Sequence, residues 1–257
     1  MIANDRITTG VGLMVLRAPR CAASVQPGQF VHLRVATGAD IILRRPFSIH
    51  RAYGERIEIL YQILGTGTLR MAEKSPGDQS MDLVGPLGHG WEHPDHVGNA
   101  LLVAGGLGAA PLGMLAERLA ARGVAVTAAL GAPTASRLVA RALFERVARR
   151  VEIATDDGSV GDCGFVTEPV KRLLAAEPFG MVYACGPEAM VRAIARLAGA
   201  AELPCQVSLE RFMACGIGAC LSCVVTTVHG LKRACADGPV FTAEEVVWDA
   251  SETPPKH

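Results

Sequence analysis

Hydrophobic and polar positions change rhythm twice along this chain. In the first hundred residues the stretches 11–18, 29–35, 42–50 and 56–64 alternate or run apolar over strand lengths. The turn pairs Pro27-Gly28, Thr37-Gly38 and Tyr53-Gly54 separate them. A short helix over 69–73, a Ser75-Pro76-Gly77-Asp78 turn and a strand over 81–84 follow. Short strands with turns roughly every 8–12 residues predict a small antiparallel β-barrel or sandwich. From about residue 99 the pattern becomes strand then helix. Strands are predicted over 100–104, 124–130, 151–155 and 181–185, and helices over 112–121, 136–149, 167–176 and 187–197. Pro111 suits a first helical turn and Gly123 a helix stop. That alternation predicts a doubly wound parallel sheet covered by helices on both faces. After Pro204 cysteine and glycine accumulate, with five of the eight cysteines within 205–240. Three units are expected: a barrel over 1–98, an α/β domain over 99–203 and a small cysteine-bearing segment over 204–257. The tail 251–257, with two prolines, is expected to fray.

Composition narrows the function classes. The 25 basic and 25 acidic side chains cancel, and charged residues make up 19%, so net charge gives no argument for a nucleic-acid partner. The stretch 97–116 carries no formal charge, yet it holds five glycines and Pro111. It reads as strand, turn and helix start rather than as a membrane span. The first residues show no apolar signal-peptide core. A reducing cytoplasm is the expected compartment, where clustered cysteines read as metal ligands.

Cys215, Cys220, Cys223 and Cys235 form C-x4-C-x2-C-x11-C. Four thiolates converging on two irons are what a [2Fe–2S] cluster requires, and C-x4-C-x2-C resembles the plant-type ferredoxin loop. Gly216 and Gly218 allow the unusual φ values that turn N–H groups toward sulfur. A structural zinc site is the alternative, although zinc ribbons usually carry two C-x2-C knuckles and only one is present. Cys205 reads as a buried apolar residue, and Cys21 and Cys163 have no partner at ligand spacing. His89, His93 and His96 lie in a loop with glycine and proline between them and are assigned no metal.

Two further groups suggest nucleotide cofactors. Arg45-Pro46-Phe47-Ser48 ends a barrel strand, where Arg can fork a diphosphate and a Ser hydroxyl can meet a flavin ring. Gly65-Thr66-Gly67-Thr68 opens a short helix whose N–H groups suit phosphate. Each also has a plain reading, as a solvated strand-end arginine and as a capped turn. In the second half, Gly105-Gly106-Leu107-Gly108-Ala109-Ala110-Pro111 follows a strand and opens a helix, a context for a nucleotide although not a full G-x-G-x-x-G. Asp156-Asp157-Gly158-Ser159 and Cys185-Gly186-Pro187-Glu188 also follow strands. Cys185 has no histidine near it in sequence to make it a nucleophile, so packing beside a nicotinamide is its expected role.

In this order the motifs resemble one family. Arg45–Ser48, Gly67-Thr68, Gly85-Pro86-Leu87-Gly88, Gly105–Pro111, Asp156–Ser159, Cys185–Pro187 and the run from Ser208 to Cys220 are similar to the electron-transfer subunit of NAD-dependent (class 1B) dihydroorotate dehydrogenase. Cys235-x-Asp237-Gly238-Pro239-Val240-Phe241 completes the likeness. That family lies within the ferredoxin–NADP reductase superfamily. The resemblance implies FAD in the barrel, held by Arg45, Pro46, Phe47, Ser48, by Tyr61, Gln62, Ile63, and by Gly67 and Thr68. It implies NAD on the α/β domain, at Gly105, Gly106, Gly108, Asp157, Cys185, Gly186 and Pro187. The four cysteines would hold the [2Fe–2S] cluster. Electrons would pass from an FMN-containing dihydroorotate dehydrogenase catalytic subunit through cluster and FAD to NAD+, in pyrimidine biosynthesis, within a heterotetramer of two of each subunit. No side chain need act as acid, base or nucleophile. Ala104 stands where relatives often have glycine, and Cys163 where many have a basic or polar residue. Two other readings stay open: a reductase subunit serving a hydrogenase, a ferredoxin or sulfide reductase or an oxygenase, and a zinc-stapled binding module without redox activity.

Overall fold

The computed structural model describes residues 1–35 and 41–248; the expected Thr37-Gly38 turn and the expected frayed tail lie outside them. The first part holds strands β1 (Ala3–Thr8), β2 (Val11–Arg17), β3 (Phe30–Arg34), β4 (Arg45–Ser48), β5 (Arg51–Tyr53), β6 (Arg56–Gln62) and β7 (Asp82–Leu87). Two short helices, α1 (Pro19–Ser24) and α2 (Thr66–Ala72), connect them. The strands form two antiparallel sheets, ordered β1-β2-β6-β5 and β4-β3-β7. Period-2 alternation on β3 sends Val31 and Leu33 into the barrel core with Met14, Ile57 and Ile59, all fully buried. Each such side chain contributes roughly 1.5–3 kcal/mol by leaving water. Phe30 and His32 point the other way, out of the barrel, yet they too are buried.

The strand predicted over 42–50 is in fact broken. The Ile49 amide bonds to Gln29 beside β3, while the His50 amide bonds to Glu58 on β6. The chain therefore turns a corner between the two sheets after β4, a step no local pattern marks. β1 and α1 were also not predicted: β1 is a largely exposed edge strand, and α1 has only six residues.

The second part follows the predicted alternation: β8 (Asn99–Gly105), α3 (Ala109–Ala121), β9 (Ala125–Ala132), α4 (Arg141–Val147), β10 (Arg150–Thr155), β11 (Asp162–Cys163), α5 (Thr167–Ala176), β12 (Met181–Cys185), α6 (Glu188–Ala200) and β13 (Cys205–Ser208). A hairpin, β14 (Val224–Thr227) with β15 (Gly230–Arg233), and a last strand, β16 (Val240–Thr242), follow. The large sheet runs β11-β10-β9-β8-β12-β13-β16. All its pairs are parallel except β16 on β13. The residues from 204 onward thus lend this sheet two strands. The helix expected over 136–149 starts late. Residues 135–137 form a single 3₁₀ turn, Ala140 takes φ 58°, and Val139 turns into the core before α4 begins. Among the described residues no helix is long and apolar enough to cross a membrane.

Polar contacts fix the two parts against each other at the start of α3. His50 Nδ1 lies 3.0 Å from the Ala110 carbonyl, and Trp91 Nε1 donates to that of Pro111 at 2.9 Å. Burial holds His50 below its usual pKa, so the neutral ring is the donor. Arg51 adds an ion pair to Glu117 at 2.8 Å.

Candidate functional site

A cleft of about 850 Å³ opens along the seam between barrel and α/β domain. Its barrel wall includes Pro46, Phe47, Ser48, Gln62 and Thr68. Arg45 stands just beyond, its Nε 3.5 Å from where a Cβ on Gly67 would sit. Its guanidinium donates to the Leu43 carbonyl at 2.6 Å, and among the described residues no carboxylate pairs with it. The strand-end arginine and the Gly-Thr helix start, two unconnected signals in sequence, are neighbours in space. The Thr68 hydroxyl caps its own helix, accepting from Leu64 and Gly65 amides at 2.9 and 3.2 Å. The three residues 61–63 do not share a face. Tyr61 is buried with its hydroxyl on Asn4 at 2.8 Å, Ile63 packs against the barrel core, and only Gln62 lines the cleft.

The opposite wall comes from the sheet. Strand order reverses between β8 and β12, and such a switch point leaves a crevice at the carboxyl ends of the strands. Gly105, Gly106, Gly108, Cys185, Gly186 and Pro187 all line it. The glycines are there for close approach. A Cβ on Gly108 would lie 2.2 Å from the Cys185 carbonyl oxygen, and one on Gly105 2.7 Å from Pro187. Gly106 has φ 53° and meets nothing within 4 Å, so its open side faces space that a ligand can occupy. Burial pushes the Cys185 thiol up to about 12, which keeps it protonated and suits packing, not nucleophilic attack. Asp157 lies apart from the cleft walls. Its carboxylate accepts from the Ser159 amide and hydroxyl at 3.0 and 2.6 Å, and these bonds hold it below the usual carboxylate range.

The four cysteines lie on the loop after β13 and around the β14–β15 hairpin. They come as two pairs, Cys215 beside Cys220 and Cys223 beside Cys235. The first pair is half-exposed and exposed, and the second is buried. Among the described residues no three His, Cys, Asp or Glu side chains gather as a single-ion site; two pairs of thiols match two irons with two ligands each. Gly216 at φ 70° and Gly218 at φ 83° turn the loop. As a result the amides of Ile217, Ala219 and Cys220 reach Cys215 Sγ at 3.5, 3.3 and 3.4 Å. The Gly218 amide reaches Cys235 Sγ at 3.1 Å. The Ile217 and Cys220 amides hold Cys215 below its usual pKa, and the Ser222 hydroxyl brings Cys220 down to about 6. Burial pushes Cys235 up to about 12, where a bound cation would be needed to make it a thiolate.

Residues 210–247 match the iron–sulfur cluster binding domain of dihydroorotate dehydrogenase B, and residues 102–196 an oxidoreductase NAD-binding domain. A dihydroorotate dehydrogenase B (NAD+) electron transfer subunit from Desulforamulus reducens is 40% identical, over 92% of this chain and 92% of its own. Its counterpart from Geobacillus thermodenitrificans is 44% identical, over 96% and 100%. The chain belongs to this family of electron-transfer subunits. Among solved structures, a chain of the NADH-dependent reduced ferredoxin–NADP oxidoreductase, described for flavin-based electron bifurcation, superposes with a TM-score of 0.88. It is 31% identical over 96% of this chain and 89% of that one. The ferredoxin reductase of carbazole 1,9a-dioxygenase shares the fold, at a TM-score of 0.66 and 20% identity over 79% and 64%.

The structure draws attention to two arginines that the sequence analysis does not single out, Arg233 and Arg137. Arg233 forks Asp237, with Nε–Oδ2 2.9 Å and Nη2–Oδ1 3.0 Å, and donates Nη1 to the Gly218 carbonyl at 3.0 Å. This ties the cysteine loop to the segment that carries Cys235. An Arg and an Asp four residues apart flanking Cys235 were the available signal. Arg137, which lines the cleft, has no ion-pair partner among the described residues.

Proposed function

We propose that this chain passes electrons between an FMN-containing dihydroorotate dehydrogenase catalytic subunit and NAD+, by way of a [2Fe–2S] cluster and FAD, in the cytoplasm and within a heterotetramer of two of each subunit. The observation that carries the reading is the placement of the cysteine loop. It packs on the outer side of β3, one strand from the Arg45–Ser48 strand, and its outward pair sits among exposed apolar residues. Phe212, Ile217 and Leu221 are 96%, 63% and 62% exposed, an unusual rim for a protein without a partner. Relatives at 40–44% identity carry the dihydroorotate dehydrogenase name. The solved chain of the ferredoxin–NADP oxidoreductase is less similar, at 31%, so a different partner is the second reading.

Bound in the cleft, FAD supplies two-electron exchange with the nicotinamide and one-electron exchange with the cluster. The chain's own residues position these groups. Arg45, beside Gly67 and without a carboxylate partner among the described residues, would offer its guanidinium to the flavin diphosphate, and Ser48 and Gln62 would present polar groups to the ring. The glycines 105, 106 and 108 and the Cys185–Pro187 turn let the nicotinamide nucleotide lie against main chain. Asp157 follows β10, two strands out from β8, and would meet the far end of a nucleotide laid across the sheet edge. Cys215 and Cys220 would hold the outer iron, and Cys223 and Cys235 the inner one. On this reading the one set of flavin-like motifs, Arg45–Ser48 with Gly67-Thr68, is taken up by FAD, so the flavin that oxidises dihydroorotate would belong to the catalytic subunit. The isolated chain is therefore expected to reduce its FAD with NADH and leave dihydroorotate untouched. Adding the catalytic subunit should create dihydroorotate:NAD activity. Orotate formation by the isolated chain would overturn this division of labour, and failure to bind that subunit would favour the second reading.

A further inference from the structure

His32 is a buried histidine that the proposed function leaves without a task. It is 1% exposed and sits on the outer face of β3, whose inner face packs the barrel core. A Cβ on Gly216 would lie 2.4 Å from His32 Nδ1, so the Cys215–Gly216 peptide rests directly on the imidazole. The main-chain carbonyls of Cys215 and Arg44 both lie within reach of the ring. Across the sheet His32 is paired with Pro46 of β4. One side chain thus touches both the main chain leading into the flavin strand and the main chain of a cluster cysteine. Its Nε2 is buried without a hydrogen bond among the described residues. Leaving a polar atom so placed is costly, and a leucine would fill the same space without that cost. The nitrogen atoms therefore need a reason.

We propose that His32 is a positioning residue for electron passage between flavin and cluster, holding the Cys215–Gly216 peptide at a fixed place against the flavin-binding strand through the Nδ1 side of its ring. This rests on the reading of the cysteine loop as a [2Fe–2S] site. Electron passage depends on the placement and hydrogen bonding of the groups around a metal centre, and partners of this kind are worth roughly ten- to a hundred-fold in affinity or activity. The contact lies outside the cleft, so it should not alter how NADH meets FAD.

The test uses the full chain loaded with FAD and cluster, with His32→Leu to keep volume and His32→Asn to keep a polar group near Nδ1. Stopped-flow spectroscopy separates flavin reduction by NADH from the later bleaching of the cluster, and electron paramagnetic resonance records the reduced cluster. In His32→Leu, flavin content and flavin reduction should stay as in the wild type. Cluster reduction should slow roughly ten- to a hundred-fold, with a shifted or broadened resonance signal, and His32→Asn should recover most of both. A leucine variant with wild-type cluster kinetics and signal makes His32 a mere filler and ends the proposal. If that variant fails to fold or to hold iron, His32→Asn decides alone. Wild-type-like cluster kinetics support the proposal, and a defect in cluster reduction with flavin intact overturns it. A wild-type chain without iron would instead refute the cluster reading itself.

Discussion

Replacing Arg45 by alanine isolates the flavin contact. The guanidinium makes one strong internal bond, to the Leu43 carbonyl at 2.6 Å, and its Nε faces Gly67. Since no carboxylate among the described residues depends on it, its removal strands no buried charge. Barrel stability should then change by no more than about 0.5 kcal/mol. The diphosphate, by contrast, loses a charge-assisted bond worth about 1.5–3 kcal/mol, or roughly ten- to 150-fold in FAD affinity. Lysine should recover part of this, because it keeps the charge without the fork. The assay is titration of flavin-stripped protein with FAD, followed by fluorescence, beside a melting curve of the same samples. An alanine variant that binds FAD as tightly as the wild type and melts at the same temperature would show that Arg45 is a solvated strand end.

Cys223→Ser should cost the cluster while FAD stays, because neither Cys223 nor Cys235 lines the cleft. NADH-to-dye activity should persist while the resonance signal of the reduced protein disappears or changes. The glycine turn should respond position by position. Gly108→Ala forces a Cβ to within 2.2 Å of the Cys185 carbonyl oxygen. It should lower stability by about 1–3 kcal/mol, as overpacking does, visible in denaturant melts. Gly106→Ala meets open space but a φ of 53°, a conformation costing about 1–2 kcal/mol for a side chain. Its chief effect should be a raised KM for NADH.

What the sequence revealed and what it hid have a common physical reason. The cysteine motif was legible because its spacing is local: the glycines between the first two cysteines already allow the φ values that aim amides at sulfur. The switch point was legible because buried parallel strands read as uninterrupted apolar runs such as 100–104. Contacts between distant segments were not. Nothing in the run 42–50 announces the corner at Ile49, because the amides of residues 49 and 50 bond to different sheets. Residues 61–63 were treated as one contact surface, yet the strand's period of two sets Gln62 opposite Tyr61 and Ile63. The Asp157 carboxylate was read for a nucleotide, and its nearest partner is Ser159, two residues on, a local turn bond that Asp forms readily. His32 was passed over because an alternating strand gives the face but not what covers it, and its cover arrives from Gly216.

The division of the cysteines gives the site a direction. Cys223 and Cys235 share a core with Phe30, Val207 and Phe241, so an iron held by them would lie on the protein side. Cys215 and Cys220 stand at the surface beside Ile217 and Leu221, so an iron held by them would lie on the solvent side. Solvent access and hydrogen bonds to sulfur are among the levers that set cluster potentials. A partner that covers the apolar rim would remove water from the outer iron's surroundings and leave the inner iron's unchanged. On the proposed reading, the act of docking therefore alters the potential of the electron's entry point while the flavin side keeps its own. Titrating the cluster and FAD potentials with and without the catalytic subunit should show the cluster move and FAD stay; equal movement of both, or of neither, would mean that the rim is not where the partner binds.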